Sequence, residues 1–435
     1  MYTYSEAIAY IENIPKFTAK NDQIHTAGFL RRLGIKTTGK GALKFKIIHV
    51  AGTNGKGSVC AFLSGILVKC GKQTGLFTSP HLLRHNERIR INDQVVSDAL
   101  FLEAFEKVIQ TVEEMIREGA AHPSYFEFLL GMGMYVFDRK NVEYILLETG
   151  LGGRLDATNV FQTPYLTVIT SIGMDHMEYL GDTIEEIASE KSGIIKANVP
   201  VVYWGEDEEA AGVIERYAES NGSLAVKVSK KDYKIIKKTH KGVDFYPLCG
   251  YYLKSAFTVP FPAEYQVQNG MLALRAAEML EDIKDHHESI RDGIAGTRWE
   301  GRMEEAVPGI IFDGAHNGPG IDGFIHAFQE YPCDGRKYIL FSVVKDKDYD
   351  YMIRRLCDTD VSRIYVTRID SDRGLDEKDI LREFSKYNPA MEIKVVSDVR
   401  EAFAQAVRDR SERDVLFCVG SLYLIGELKQ EVSPC

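Results

Sequence analysis

The sequence has no pair of cysteines at the spacing of a metal-binding or redox motif, and its seven cysteines are scattered over 435 residues. An odd, dispersed set is typical of small, mostly buried apolar side chains in a reducing compartment. No segment approaches the roughly 20 apolar residues that a membrane-spanning helix needs. The first residues include Glu6 and Glu12 and no long apolar run, which is unlike a secretion signal or an anchor. We therefore expect a cytoplasmic protein with no membrane partner.

An excess of positive charge is also missing. The net charge of −10 argues against general binding of nucleic acid or of anionic membranes. Apolar content of 45% and charged content of 27% are typical of a globular protein. A chain of 435 residues exceeds what one hydrophobic core usually serves, so two domains are expected.

The segment with the strongest chemical signal is KIIHVAGTNGKGS, residues 46–58. An apolar strand pattern runs into a glycine-rich loop, and apolar residues at helical spacing follow. In such a unit the backbone N–H groups and the helix dipole face a phosphate, and Lys56 adds positive charge. Val50 and Gly57 depart from the common G-x-x-x-x-G-K-[ST] pattern, and an ordinary strand-to-helix turn is the alternative.

Strand and helix patterns then alternate, which predicts an α/β fold with an open, mostly parallel sheet. Three polar residues, Ser79, Glu148 and His176, follow strand patterns. Ligands of such sheets bind beyond the carboxyl ends of the strands, so we expect these residues to share a site. Mg²⁺ prefers oxygen ligands, which suits Glu148, whereas a histidine at a strand end is more often structural.

Helices are predicted over 4–14, with Ser5 as the N-cap, over 22–33, near 97–118 and from Asn269 to Leu280. Short β-rich runs within 222–262 predict a small antiparallel patch. The charged stretch 282–302 predicts a domain boundary, and from Ile310 the strand–helix alternation resumes. The predicted domains are therefore 1–296, which includes the β-rich patch, and 297–435, a smaller Rossmann-like α/β domain.

Two further places carry weaker signals. Lys191 lies within a predicted helix, where a lysine is usually solvated. Asp313 and His316 in DGAHN follow a predicted strand of the second domain, where they would face the phosphate loop across a cleft. Loops after strands often carry function, but an Asp-Gly turn is also an ordinary loop.

These motifs, in this order, resemble the folylpolyglutamate synthase/dihydrofolate synthase family, the folate branch of the Mur ligases, over essentially the whole chain. The segments that carry the resemblance are HVAGTNGKGS (49–58), TSPHL (78–82), NERIRIN (86–92), YFEF (125–128), LETGLGGRLDATN (147–159), SIGMDH (171–176), EKSGIIK (190–196), RWEGRME (298–304) and DGAHN (313–317).

The resemblance implies a P-loop-type sheet domain with helices on both faces and an ATP-dependent acid–amino-acid ligase. ATP would phosphorylate a carboxylate, and the amine of L-glutamate would displace phosphate from the acyl phosphate. The acceptor would be a folate, dihydropteroate or both, and the sequence leaves this open. An acyl phosphate hydrolyses readily, so two domains that close and exclude water fit this chemistry. A monomer that binds only small molecules is expected.

Matched residue by residue, the resemblance implies three binding sets and a catalytic set. For ATP these are Asn54, Gly55, Lys56, Gly57, Ser58, Asn269, Arg302 and Asp313. For one or two Mg²⁺ ions they are Ser79, Glu148 and His176, and a K⁺ ion is conceivable. For the pterin they are Tyr125, Phe126, Glu127, Leu155, Asp156 and Ala157, with core packing as the alternative for Phe126 and Leu155. The catalytic set is Lys56, Lys191 and His316, of which Lys191 matches a lysine that is carbamylated in these ligases.

Two other functions are weighed against this one. Another Mur-type amino-acid ligase is disfavoured because the sequences of residues 147–159 and 298–304 resemble those of the folate branch. A nucleotide-binding switch without ligation would need neither DGAHN nor EKSGIIK. The early helix departs from the family pattern because no Asn-Pro follows Gly34, so the mode of folate binding is the least constrained expectation.

Overall fold

The computed structural model describes residues 2–15, 23–38 and 44–432. It divides into two compact units. One consists of Met1–Lys234, Tyr246–Phe257 and Gln268–Thr297, and the other consists of Ile235–Phe245, Thr258–Val267 and Arg298–Cys435.

The first unit contains an eight-stranded sheet. Its strands are β1 (Lys46–Ala51), β2 (Thr74–Phe77), β3 (Ile89–Ile91), β4 (Gln94–Val95), β5 (Tyr144–Glu148), β6 (Leu166–Ile169), β7 (Val201–Trp204) and β8 (Ala225–Val228). The order is β4-β3-β2-β5-β1-β6-β7-β8, and only the pairings of β3, with β2 and with β4, are antiparallel. Strands β2, β5, β6 and β7 are buried along their whole length, as expected of parallel strands covered on both faces.

Ten helices precede residue 298 in the described part of the chain. They are α1 (Tyr4–Asn13), α2 (Gln23–Arg32), α3 (Lys56–Lys69), α4 (Asp98–Arg117), α5 (Tyr125–Arg139), α6 (Met177–Leu180), α7 (Ile184–Ser192), α8 (Glu208–Ser220), α9 (Glu264–Ala277) and α10 (His287–Gly296). Helix α3 follows β1 directly and packs closely against α10. A Cβ on Gly65 would lie 2.8 Å from the Gly293 carbonyl oxygen, and one on Gly293 would lie 2.5 Å from Ile66 Cα. Glycine at both positions lets the two backbones touch.

A separate three-stranded sheet has the order β11-β10-β9. Its strands are β9 (Tyr233–Thr239), β10 (Gly242–Pro247) and β11 (Phe257–Val259). The run SLAVKV was expected to join this patch, and that expectation was wrong. It forms β8, which pairs in parallel with β7 at the edge of the large sheet. A strand that follows a crossover helix such as α8 returns to the sheet it left.

The second unit contains a six-stranded sheet. Its strands are β12 (Glu304–Val307), β13 (Ile310–Phe312), β14 (Lys337–Phe341), β15 (Arg363–Val366), β16 (Ile393–Val395) and β17 (Val415–Val419). The order is β12-β13-β17-β14-β15-β16, with β12 alone antiparallel. Its helices are α11 (Gly318–Glu330), α12 (Tyr349–Cys357), α13 (Glu377–Tyr387), α14 (Val399–Asp409) and α15 (Leu422–Val432). The predicted fold class, a mostly parallel P-loop-type domain plus a smaller α/β domain, is confirmed.

Local details differ from the sequence expectations. Thr3, not Ser5, caps α1, because the Thr3 hydroxyl accepts from Glu6 N and the Glu6 carboxylate accepts from Thr3 N. Helix α9 begins at Glu264, before the predicted start at Asn269. Of the six cysteines within the described ranges, all are free but only Cys60 and Cys418 are buried, so the expectation of mostly buried thiols was wrong. Among the helices of these ranges, none is both long and apolar enough to cross a bilayer.

Candidate active site

The glycine loop between β1 and α3 has the backbone that a phosphate cradle requires. Gly55 precedes α3 with φ of 90°, and a Cβ there would lie 2.3 Å from Asn269 Oδ1. Gly52 has φ of 148°, and its Cβ would lie 1.8 Å from Thr170 Oγ1. Only glycine satisfies both the left-handed backbone and the missing space. The structure therefore brings Asn269 of α9 against the predicted phosphate loop.

The loop that follows β6 braces this cradle. Thr53 N donates to the Ser171 carbonyl at 2.8 Å, and Thr53 Oγ1 donates to the Gly173 carbonyl at 3.0 Å. The Asn54 carbonyl accepts from Thr170 Oγ1 at 2.7 Å. These bonds hold residues 52–55 in place before α3. The first turn of α3 includes Gly57 and the buried Ser58. Its N–H groups have no carbonyl acceptor within the helix.

Two lysines converge on one carbonyl oxygen of this loop. Lys56 Nζ lies 3.0 Å and Lys191 Nζ 2.8 Å from the Gly52 oxygen. Lys191 is in the last turn of α7 and only 3% exposed, so the solvated position usual for a helical lysine does not describe it. Burial, reinforced by the charge of Lys56, lowers the pKa of Lys191 to about 7. Near neutral pH a large fraction of this amine is therefore uncharged.

Acidic groups oppose this shift without cancelling it. The carboxylates of Asp175, Asp156 and Glu190 act to raise the pKa of Lys191, but burial outweighs them. Asp175 was not singled out from the sequence. Its signal was its place beside His176 in the SIGMDH segment that follows the β6 pattern.

The structure joins two of the three predicted metal ligands. Ser79 N donates to Glu148 Oε2 at 3.0 Å, and Glu148 is the buried last residue of β5. His176 begins α6 in the left-handed region, with φ of 53°. Its side chain is 42% exposed, and its Nε2 lies 3.8 Å from the Asp175 carboxylate. A hydroxyl and a buried carboxylate at strand ends form an oxygen-rich set that suits Mg²⁺.

The first three predicted pterin residues begin α5. Tyr125 is buried. The Phe126 ring packs on Phe77, with centroids 5.7 Å apart, and fills the space beside Gly150. The buried Glu127 carboxylate accepts from Thr26 Oγ1 at 2.5 Å and from Ser124 N at 2.7 Å. Glu127 therefore ties α2 to α5, a contact that the sequence did not reveal.

The other three pterin residues lie on the loop 150–159. Leu155 is 49% exposed, so the core-packing alternative does not describe it. The Asp156 carboxylate points inward and accepts from Leu151 N at 2.8 Å and from Thr158 N at 2.9 Å. Ala157 is partly buried and packs on the hydrophobic core beside α5. Asp156 thus organises the loop, and the side chain of Leu155 faces outward.

The second unit has its own polar centre after β13. The buried Asp313 carboxylate accepts from Met303 N at 2.9 Å, from Ala315 N at 2.8 Å and from the Tyr265 hydroxyl at 2.5 Å. Burial raises the pKa of Asp313, and the charge of Arg302 and these hydrogen bonds oppose the rise. Tyr265 was missed, although it lies four residues before Asn269 at helical spacing.

The remaining predicted residues of this unit lie close to Asp313 in the chain. His316 Nδ1 is 2.7 Å from the Gly314 carbonyl, so Nδ1 carries the proton and donates. Arg302 Nη1 donates to the Gly301 carbonyl at 3.0 Å, and a Cβ on Gly314 would lie 2.3 Å from that nitrogen. The structure therefore groups Arg302, Asp313 and His316 around one loop.

Two stretches of the chain match known protein-family models. Residues 50–277 match the Mur ligase middle domain, and residues 298–422 match the Mur ligase, glutamate ligase domain. The first match covers more than half of the chain.

Individual proteins agree over the full length. The chain is 32% identical to the dihydrofolate synthase/folylpolyglutamate synthase of Bacillus subtilis, over 99% of this chain and 100% of that protein. Its fold is similar to that of Escherichia coli FolC in complex with DHPP and ADP, with a TM-score of 0.83, 26% identity and coverage of 99% and 98%. A folylpolyglutamate synthase from Thermotoga maritima gives a TM-score of 0.81, 30% identity and coverage of 99% and 96%.

These findings confirm the predicted family and the predicted enzyme class, an ATP-dependent ligase. The roles of individual site residues stay predictions. The chain belongs to the folylpolyglutamate synthase/dihydrofolate synthase branch of the Mur ligase family.

Proposed function

We propose that this protein adds L-glutamate to the carboxylate of a folate, of dihydropteroate or of both, at the expense of ATP. The carboxylate attacks the γ-phosphorus of ATP, and ADP leaves. The glutamate amine then attacks the acyl carbon, phosphate leaves, and the amine loses a proton. The reaction forms one amide bond for each ATP consumed.

The observation that carries this proposal is the convergence of Lys56 and Lys191 on the carbonyl of Gly52. The Lys56 amine beside the N–H groups of α3 forms a site for a polyanion, since phosphoryl transfer depends mainly on positioning and charge neutralisation, and Lys191 lies at the same loop. Lys56 Nζ donates to the carbonyl oxygens of Gly52 and Thr53 in its own loop. We infer that Lys56 turns to the β- and γ-phosphates when ATP binds.

We infer that Ser79, Glu148 and His176 hold Mg²⁺. The ion would neutralise phosphate charge during transfer. The support is the contact between Ser79 N and the buried Glu148 carboxylate, which fixes two oxygen donors at adjacent strand ends. A K⁺ ion stays a further expectation.

We further infer that Lys191 is carbamylated. Its uncharged amine would attack CO₂ and lose a proton, giving a carbamate anion in place of a cation. The lowered pKa of Lys191 supplies the uncharged amine that this step needs. The carbamate would offer oxygen ligands to a second Mg²⁺. Carbon-13 NMR of the protein in ¹³CO₂-saturated buffer tests this: a carbamate signal that Lys191→Arg lacks supports it, and the same spectrum for both proteins contradicts it.

In the second unit, Arg302, Asp313 and His316 are the proposed ATP-side and glutamate-side residues. The buried Asp313 carboxylate, oriented by three hydrogen bonds, supports a role in holding the nucleotide. Asn269, which lies against Gly55, is proposed for the same ligand. The proposed domains remain 1–296 and 297–435, and a cytoplasmic monomer remains the expectation.

On the acceptor side, Tyr125, Phe126, Glu127, Leu155, Asp156 and Ala157 are proposed to position the pterin. Leu155 is the half-exposed apolar side chain of this set, and it would lie against a flat aromatic ring. Glu127 and Asp156 already bond to the protein and would act by fixing α5 and the loop 150–159.

Phosphate release tests the proposed function. The assay contains ATP, Mg²⁺ and L-glutamate and compares dihydropteroate with tetrahydrofolate. Turnover with dihydropteroate indicates a dihydrofolate synthase, and turnover with tetrahydrofolate indicates a polyglutamylating enzyme. Turnover with both acceptors indicates a bifunctional enzyme. A reaction without glutamate is the control. Equal turnover in that control would indicate a nucleotide switch, and silence with both acceptors would indicate another Mur-type ligase.

A further inference from the structure

His49 is a buried histidine that the proposed reaction does not use. It lies in β1, where it pairs with Leu147 of β5 and Thr167 of β6, and it has no exposed surface. Burial, together with the charge of Lys196, lowers the pKa of His49 to about 3. The imidazole is therefore neutral at physiological pH.

The hydrogen bonds fix the tautomer of His49. Thr158 Oγ1 donates its proton to Asp156 Oδ1 at 2.5 Å. Because its proton is used in this bond, Thr158 Oγ1 accepts from His49 Nε2, which lies 2.8 Å away. The Nε2 atom thus carries the proton. His49 Nδ1 is buried and has no hydrogen-bond partner within the described ranges. A donor chain runs from His49 through Thr158 to the Asp156 carboxylate.

The end of this chain is the residue that organises the loop 150–159. Asp156 holds Leu151 N and Thr158 N, as described above. The same loop is fixed to the end of α7, because Arg154 N donates to the Glu190 carbonyl at 2.7 Å and Asn159 Nδ2 to the Gly193 carbonyl at 3.0 Å. The loop therefore lies between the strand that enters the phosphate cradle and the helix turn that carries Lys191.

Stability alone does not account for a histidine at position 49. A buried imidazole nitrogen without a partner costs free energy, and an apolar side chain in a parallel core strand carries no such cost. The neighbouring positions of β1 are Ile48 and Val50, both apolar and fully buried. What His49 provides that an aliphatic residue cannot is one directed N–H group.

We propose that His49 is a positioning residue for the acceptor substrate. Through the Thr158 hydroxyl it fixes the Asp156 carboxylate, and so it holds Leu155 and Ala157 where they meet the pterin. This inference rests on the proposed acceptor role of residues 155–157.

Two matched pairs of variants test the proposal. His49→Gln keeps an N–H donor near the position of Nε2, and His49→Leu removes it. Thr158→Ser keeps the hydroxyl, and Thr158→Val removes it. The KM for the acceptor, the KM for ATP, kcat and the melting temperature are measured for each variant, with the acceptor that the wild-type enzyme uses.

The expected result is selective. His49→Leu and Thr158→Val raise the KM for the acceptor about fivefold to tenfold, the effect of one directed hydrogen bond. The KM for ATP stays unchanged, and His49→Gln and Thr158→Ser stay within about twofold of wild type for the acceptor. Because both residues belong to one chain of hydrogen bonds, the double variant His49→Leu/Thr158→Val is no worse than either single variant.

Three outcomes overturn the proposal. An unchanged acceptor KM in both His49→Leu and Thr158→Val, with a lower melting temperature, would assign these residues to stability alone. An equal rise in the KM for ATP would assign them to the phosphate loop. Additive effects on the KM for the acceptor in the double variant would show that His49 and Thr158 act independently and not through one chain of hydrogen bonds. Wild-type protein that shows no acceptor-dependent turnover and no binding of dihydropteroate or tetrahydrofolate by calorimetry would instead refute the proposed function, and this inference with it.

Discussion

The hydroxyl of Tyr265 donates a hydrogen bond of 2.5 Å to the carboxylate of Asp313; Asp313 is buried and Tyr265 is partly buried. Burial and the adjacent carboxylate raise the pKa of Tyr265 well above its ordinary value, so the phenol keeps its proton and remains a donor. This bond fixes one oxygen of the carboxylate that is proposed to hold ATP.

Tyr265→Phe should therefore raise the KM for ATP about fivefold, the effect of about 1 kcal/mol from one hydrogen bond. Steady-state kinetics with varied ATP measure it. Tyr351→Phe is the matched control, because the Tyr351 hydroxyl donates to Asp322, which no proposed role involves. Similar KM values for both variants would show that the Tyr265 hydroxyl does not position Asp313 for the nucleotide.

Lys56→Ala should lower kcat at least about 10²-fold, because the variant lacks a charge that stabilises the transferred phosphoryl group. The fold should be retained, since among the described residues the Lys56 amine bonds only to carbonyl oxygens of its own loop. Phosphate release and the melting temperature measure the two effects. Lys69→Ala, in the last turn of the same helix, is the control. A Lys56→Ala variant with near-normal turnover would rule out the phosphate-cradle assignment.

The lowered pKa of Lys191 predicts how stability depends on pH. Between pH 7 and the ordinary lysine pKa of 10.5, the unfolded chain holds a proton on Lys191 that the folded chain has lost. Stability from this residue therefore rises with pH across that window, and below pH 7 the full penalty of the buried charge is present. Relative to wild type, Lys191→Met should be most stable near pH 6 and should lose this advantage towards pH 10.

Denaturant unfolding in CO₂-depleted buffer at pH 6 and pH 9.5 measures this difference. Lys196→Met is a useful comparison, since burial lowers the pKa of Lys196 as well. A stability difference between wild type and Lys191→Met that does not change with pH would contradict the assigned cause.

Glu148→Gln should raise the Mg²⁺ concentration for half-maximal activity about tenfold, which corresponds to about 1.4 kcal/mol for loss of a charged ligand. An amide oxygen can still accept from Ser79 N, so the local structure should be kept. Glu143→Gln, on the half-exposed residue just before β5, is the control. Activity titrated with Mg²⁺ at saturating ATP distinguishes the two. An unchanged Mg²⁺ requirement in Glu148→Gln would remove Glu148 from the metal site.

The sequence predicted the parts of the site that depend on local pattern. The strand, glycine loop and helix of 46–58 could be read because apolar periodicity and glycine spacing are local properties. Ser79 and Glu148 could be paired because parallel strands place their carboxyl ends at one edge of the sheet. The family resemblance supplied roles that geometry alone leaves open.

What escaped prediction depends on contacts between distant segments. The burial of Lys191 could not be predicted from local pattern, because a lysine within a helix is usually solvated and the close packing of Gly153 against the end of α7 joins distant segments. Strand β12 was missed because EEAV has no apolar run, and its antiparallel place beside β13 is set by tertiary structure. The hydrogen bonds from Tyr265 to Asp313 and from Thr26 to Glu127 join residues 48 and 101 positions apart.

The close approach of α3 and α10 has a consequence for natural variation. Gly65 lies in α3 itself, beyond its first turn, and Gly293 lies far along the chain, yet a methyl group at either position would push one helix against the other and so disturb the helix whose first turn belongs to the proposed cradle. An alanine allele there would behave genetically as a defect in nucleotide use while every ligand-contacting residue remained unaltered. The requirement for nucleotide binding thus restricts substitution at these two positions as it restricts substitution in the glycine loop.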